Sequence, residues 1–228
     1  IARGPIVEPH ESIELSAGLA AAPAHAAAAR PLVLVELFTA QGCAACNDAN
    51  GYLAKVTERP GVVALTFSVD YWDYLGWRDR FADARHSARQ RLSAARNGTR
   101  TLYTPQVLLN GRDARGLVSG ADSIRKAVEA AATPPAATIA LSMRTEPGRI
   151  VLHASAQLAG GGSVPAAELY VALTEDNLAS DISSGENRGR TLRHNAVVRR
   201  IETPVATDAR GQAGFERSIP IDQRIDPP

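Results

Sequence analysis

Cys43-Ala44-Ala45-Cys46 constrains the fold more than any other part of this sequence. It lies between two segments of different period. Before it, Leu32 to Phe38 (LVLVELF) is almost continuously apolar, the pattern of a strand buried on both faces. After it, Ala45, Ala49, Tyr52, Leu53 and Val56 recur at helical spacing. Two thiols at such a strand-to-helix turn fall on the first turn of the helix and can close a small disulfide. The free N–H groups and positive end of the helix stabilise a thiolate at Cys43. Cys46 can then resolve a mixed disulfide by attacking Cys43. These are the chain's two cysteines, so a disulfide-dense scaffold is excluded.

The elements around this motif alternate. Val62 to Val69 reads as a second buried strand, and Phe81, Ala84, Ala88, Leu92 and Ala95 line one face of a helix. Val107 to Leu109 is a short strand, Asn110-Gly111 a hairpin turn, and Leu117-Val118 a continuation. A helix over 121–132 points Ile124, Val128 and Ala131 inward. Residues 31–132 therefore read β-α-β-α-β-β-α, an α/β domain. Thr133-Pro134-Pro135 marks a linker over 133–136. From 137 to 228 the helical period disappears. Short alternating segments (Thr138–Met143, Ile150–Ala156, Glu168–Thr174, Leu192–Ile201, Gly214–Ile219) predict an all-β antiparallel sandwich. Residues 1–30 form an Ala-rich extension in which Ala24-His25-Ala26 fits the small-x-small pattern of an export cleavage site. No charged start or long apolar stretch precedes that pattern, so a plain Ala-rich extension stays open beside the signal remnant.

Tyr103-Thr104-Pro105 precedes the strand Gln106 to Leu109. A proline entering a buried strand points to a cis bond, while one that begins an edge strand does not. With the element order, this segment resembles the thioredoxin fold, whose cis-proline loop faces the CxxC. The resemblance implies that Pro105 is cis and that Thr104 offers backbone hydrogen bonds to an extended substrate. Glu36 is a carboxylate inside an apolar strand, where burial would raise its pKa. The resemblance makes it a counterpart of the buried acid beneath the second cysteine, and a solvated strand edge is the alternative. Tyr71 and Trp72, in VDYWDYLGW, are either an aromatic wall beside the disulfide or a packing plug.

Four segments narrow the resemblance: VELFTAQGCAAC, FSVDYWDYLGWRDRFADARHSARQR, YTPQVLLNGR and GENRGRTLRHNAVVRRI. Spanning roughly residues 33 to 201, they resemble a bacterial exported thioredoxin-like family of unknown function. That implies a thioredoxin-like domain and a periplasmic or secreted location, without a reaction or substrate. Family members place prolines after the second cysteine, where this chain has Asn47-Asp48. Asp48 sets negative charge near the thiols. Relatives also continue past the equivalent of Pro228, so a truncated sandwich or a missing tail is expected. Within Ser183 to Arg200, Arg190 or His194 could reach the thiols, or the segment is a polar loop and an ordinary strand.

Several functions are excluded on composition and spacing. A net charge of +1 offers no concentrated basic footprint for nucleic acid. No apolar run reaches the roughly 20 residues of a membrane span. Structural zinc takes four ligands, and His10, His25, His86, His153 and His194 show no paired spacing. Two thiolates could hold Cu(I), but Met143 is the single methionine. Neither GxSxG nor GxxxxGK[ST] occurs. The expectation is cofactor-free thiol–disulfide exchange with a protein or small-molecule thiol in the cell envelope. Cys43 is nucleophile, Cys46 resolver and Glu36 the proton relay, with Thr104, Pro105, Tyr71 and Trp72 shaping the substrate groove. A binding module with a structural disulfide is the alternative. Direction and oligomeric state do not follow from the sequence.

Overall fold

The computed structural model describes residues 32–115, 121–132, 136–159 and 167–220. The extension 1–30, Leu117-Val118, the linker residues Thr133–Pro135, the Gly160–Gly162 run and the C-terminal octapeptide lie outside the described residues, as do the side chains of 121–124.

The first half follows the expected order. It runs β1 (Val33–Thr39), α1 (Cys46–Thr57), β2 (Val62–Ser68), a 3₁₀ turn (Asp70–Leu75), α2 (Ala84–Arg96), β3 (Gln106–Leu109), β4 (Arg112–Asp113) and α3 (Ala121–Ala131). β1 pairs with β2 in parallel, Val33 opposite Val62 through Thr39 opposite Ser68. β3 runs antiparallel to β1, with Phe38 opposite Gln106, and β4 antiparallel to β3. The β3–β4 turn has Asn110 and Gly111 at φ of 48° and 76°, the left-handed pair that a two-residue hairpin needs. Side-chain alternation gives β1 two buried faces. Val33, Val35 and Leu37 pack with Ala49, Leu53 and Val56 of α1 and Val128 of α3. Phe38 packs on the other face with Phe67 and Leu108.

α2 inverts its expectation. Phe81, just before it, is buried as expected, but Ala84, Ala88, Leu92 and Ala95 face solvent, Leu92 being 63% exposed. The buried face is His86, Ser87, Gln90 and Ala94. The surface beneath sets buried acceptors beside Phe38 and Phe67, and those acceptors are the physical reason. His86 Nδ1 donates to the Ser68 carbonyl at 2.9 Å, and Gln90 Nε2 donates to the Tyr103 carbonyl and to Gln106 Oε1, each at 2.9 Å. Ser87 donates to Asp70, and Arg89 pairs with Glu36. A helix that must satisfy buried acceptors turns its hydrogen-bonding side chains inward, whatever its apolar stripe prefers.

The second half continues with β5 (Ala137–Glu146), β6 (Arg149–Leu158), β7 (Glu168–Leu169), β8 (Ala172–Glu175), β9 (Leu178–Asp181), β10 (Thr191–His194), β11 (Val197–Ile201), β12 (Val205–Ala206) and β13 (Gln212–Pro220). β13, β6 and β5 form an antiparallel sheet, while β9 pairs with β10 and β7 with β12. The expected self-contained sandwich is corrected at two strands. β11 and β8 join the first sheet, giving the six-stranded order β4-β3-β1-β2-β11-β8. β11 lies parallel to β2, held by the Thr66 N–H to the Ala196 carbonyl at 2.7 Å and Thr66 Oγ1 to the Asn195 carbonyl at 2.8 Å. This covers the edge of β2 that would otherwise be unpaired. The segment read as one strand, Leu192–Ile201, is two. Ala196, at φ 51°, turns the chain between the β9–β10 ribbon and the large sheet.

Candidate functional site

The site is built where β1 ends. The Cys43 N–H donates to the Ala40 carbonyl at 3.1 Å and the Cys46 N–H to the Cys43 carbonyl at 3.2 Å, so Cys43 turns back towards the helix start. Cys43 and Cys46 form a disulfide, with Cα atoms 5.4 Å apart. Cys43 is 1% exposed and Cys46 0%. The register of β3 on β1 brings Pro105 level with Thr39, at the end of β1 from which the cysteine loop departs. The Thr104–Pro105 bond is cis, as the resemblance implies. Thr39 Oγ1 and Thr104 Oγ1 are buried here without a hydrogen-bond partner.

Tyr71 and Trp72 pack against the cluster that holds both cysteines. Trp72 closes over Gly42, where a Cβ would stand 3.4 Å from the Trp72 Cβ. The Tyr71 hydroxyl donates to Gln90 Oε1 at 3.1 Å, and burial raises its pKa. Both aromatics thus stand beside the disulfide, half-buried. Glu36 is placed differently. It is buried, but three residues, about 10 Å, short of the end of β1. Its Oε1 accepts from Arg89 Nε at 2.9 Å and Nη2 at 2.7 Å. Its partner is a guanidinium of α2 rather than a cysteine.

Gln41, 0% exposed, anchors the loop that carries Cys43. Its backbone N–H donates to Asp79 Oδ2 at 3.0 Å. The Trp77 indole N–H, which can only donate, reaches Gln41 Oε1 at 2.8 Å and so fixes the orientation of the amide. Gln41 Nε2 must then donate, to Ser180 Oγ at 2.9 Å and towards His194 Nε2 at 3.4 Å. His194 Nε2 is therefore an acceptor, and the ring is neutral with its proton on Nδ1. That Nδ1 is buried without a partner. Burial, with a smaller contribution from Arg80, pushes the His194 pKa down to about 4.

The His194 shift has a consequence for stability. An unfolded histidine titrates near 6.5, so between that pH and about 4 the unfolded chain takes up a proton that the folded chain refuses. The contribution is fully present above pH 6.5 and is lost as pH falls towards 4, in total about 3 kcal/mol. Asp79, whose pKa burial raises, works in the opposite sense. Urea titrations from pH 7 to 4 should show a shallower slope for His194→Gln than for the parent. Equal slopes would mean that the ring is not held neutral.

The loop between β9 and β10 completes the site. Glu186 Oε2 accepts from the Ala44 N–H at 3.0 Å, two residues ahead of α1. Asn187, 0% exposed, donates through Nδ2 to the Gln41 carbonyl at 2.8 Å and accepts through Oδ1 from Asn47 Nδ2 at 2.8 Å. The GENRGR segment does reach the cysteines, through Glu186 and Asn187 rather than Arg190 or His194. Sequence reasoning gave neither residue this role. The one signal was a polar pair next to Gly185, a glycine at φ 74°. Beside this contact, Asn47, Asn50, Gly51, Thr191, Leu192 and Arg193 line a groove of about 500 Å³. Among the described residues no group of three or more His, Cys, Asp or Glu could hold a metal ion, and no helix is long and apolar enough to cross a membrane.

Comparison with known proteins adds a family and a fold. No curated protein matches the sequence. A crystal structure of a protein from Agrobacterium tumefaciens aligns with a TM-score of 0.56 at 25% identity, covering 85% of this chain and 80% of that one. Residues 34–227 match the family described as "Protein of unknown function (DUF1223)". That match takes in β1, the cysteine loop, the aromatic turn and the β9–β10 loop together, and the chain belongs to this family.

Proposed function

We propose that the chain exchanges thiols and disulfides through Cys43 and Cys46, on a thioredoxin-like first half. The observation that carries this reading is the position of the disulfide. It opens α1 at the carboxyl end of the parallel β1–β2 pair, with Thr104-Pro105 on the same rim. A ring closed between Cys43 and Cys46 is also a weak staple. Loop-closure entropy over so short a span is worth about 2 kcal/mol, the low end for a disulfide. A thiolate of the partner attacks Cys43 Sγ, the Cys43–Cys46 bond breaks, and Cys46 leaves as a thiolate. The partner's second thiol loses its proton and attacks the mixed disulfide, releasing Cys43. The partner gives up two electrons and two protons, and the reverse sequence oxidises the reduced protein. The groove lined by Asn47 and Arg193 runs beside α1 and can take a polar segment of the partner. Glu36, paired with Arg89, has no part in this proposal. The reading assigns the work to the periplasm or cell exterior, where disulfides persist, and Ala24-His25-Ala26 supports it.

Burial of both sulfurs favours a second reading, a structural disulfide in a binding module. Two measurements separate them. Redox equilibration in glutathione buffers should give a potential between about −120 and −270 mV for an exchanging pair, and below about −300 mV for a structural one. Cys46→Ser should trap mixed disulfides with its partner, and Cys43→Ser should trap none. Absence of trapped species from Cys46→Ser, together with a low potential, rejects the exchange reading.

A further inference from the structure

Exchange requires attack on Cys43, yet Cys43 is 1% exposed. The segment Ile182–Arg190 is a closed loop bonded to the turn that carries it, at Gln41, Ala44 and Asn47. The Ile182 N–H donates to the Arg190 carbonyl at 2.9 Å, the Gly189 N–H to the Ile182 carbonyl at 2.7 Å and the Arg190 N–H to the Asn187 carbonyl at 3.1 Å. Such a loop can move as one body. Two side chains tie it to the cysteine turn. Asn187 spans the Gln41 carbonyl and the Asn47 amide, on either side of the disulfide in sequence, and is fully buried in doing so. Glu186 sets its carboxylate on the Ala44 N–H, between the two cysteines. On its other side, Ser184 donates to the Gly76 carbonyl at the end of the aromatic turn.

We propose that Ile182–Arg190 is a latch on the disulfide, in which Asn187 holds the loop closed and Glu186 restrains the reactivity of Cys43. Both are positioning residues for exchange, and the inference rests on the exchange reading above. Glu186 fixes a carboxylate on the N–H of the residue next to Cys43, just ahead of α1. In the disulfide form no charge competes with it, and the latch stays shut. When a thiol reduces the pair, a Cys43 thiolate comes to stand beside the Glu186 carboxylate at the same dipole end. Like charges repel, and the loop lifts. The reduced form is thereby the open one, and a partner that draws the loop away from Ala44 activates the disulfide.

The test uses the full chain, reduced glutathione as the probe, and iodoacetamide alkylation of the reduced protein. Glutathione thiolate attacks Cys43 Sγ and expels Cys46 as a thiolate, and a second glutathione releases Cys43 and leaves as glutathione disulfide. Asn187→Ala should speed this reduction by about 30-fold, the effect on an opening equilibrium of losing two buried hydrogen bonds. Glu186→Gln keeps the size of the side chain and removes its charge. It should lower the pH midpoint of Cys43 alkylation by about half a unit, roughly threefold more thiolate at a fixed pH. That shift should vanish in about 1 M salt, where the screening length is near 3 Å. If every variant exchanges at the parent rate with the parent pH midpoint, the latch is wrong while the exchange function stands. If neither the parent nor any variant exchanges with glutathione, the exchange function fails and the latch falls with it.

Discussion

Phe67→Ala should lower the stability of the folded chain by about 4 kcal/mol, read from urea unfolding. Phe67 is 0% exposed at the centre of the sheet. It stacks on Phe38 with ring centroids 5.2 Å apart and meets the edge of His86 at 5.3 Å. The Arg89 guanidinium lies 5.2 Å from its ring centroid. Truncation loses the transfer energy of the ring and leaves a cavity between β2 and α2 that neither strand pairing nor helix can close. A loss below about 1.5 kcal/mol would mean that α2 collapses into the space, as a loosely packed helix could. The same cluster holds Cys43 and Cys46, so the variant should also raise the access of thiols to the disulfide.

Arg89→Ala should cost about 3 kcal/mol. The Glu36 side chain is 4% exposed and its Oε1 takes both bonds from Arg89, whose side chain is 28% exposed. Removing the guanidinium leaves a carboxylate inside the sheet with no charge beside it, the costly way to break a buried pair. The control is the double variant Glu36→Leu with Arg89→Met. It removes both charges and should recover most of the loss, because a buried ion pair gains little over well-packed apolar groups. If the double variant is as unstable as Arg89→Ala, packing of the Arg89 stem matters more than the charge. Arg89 and Phe67 touch, so their substitutions should not add.

Much of the first half was legible in the sequence because its signals are local. A strand buried on both faces, a helix with Leu53 and Val56 on one side and an Asn-Gly turn each state their geometry within a few residues. The cis bond before Pro105 came from the resemblance, and β3 carries it to the rim where the cysteines lie. Two features lie beyond local signals. The face of α2 follows the need to satisfy buried acceptors, beside which an Ala and Leu stripe is a weak preference. Glu36 is a buried acid in a strand, and such an acid does not name its partner in the sequence. Arg89 is 53 residues away in the chain and was decided by helix packing.

The sequence by itself determined that two thiols stand at a strand-to-helix turn, that residues 31–132 alternate strand and helix, and that strands without helices follow from residue 137. Tertiary structure alone decided what surrounds the thiols. It joined β11 and β8 to the first sheet, because the open edge of β2 needed a partner and Ala196 could turn the chain towards it. That brought the β9–β10 loop against the cysteine turn and set Glu186 and Asn187 on Ala44 and Gln41. These pairs are more than 140 residues apart. Hydrophobic period and turn chemistry act within about 10 residues, so no local pattern encodes such contacts. They arise only when the two halves share one sheet.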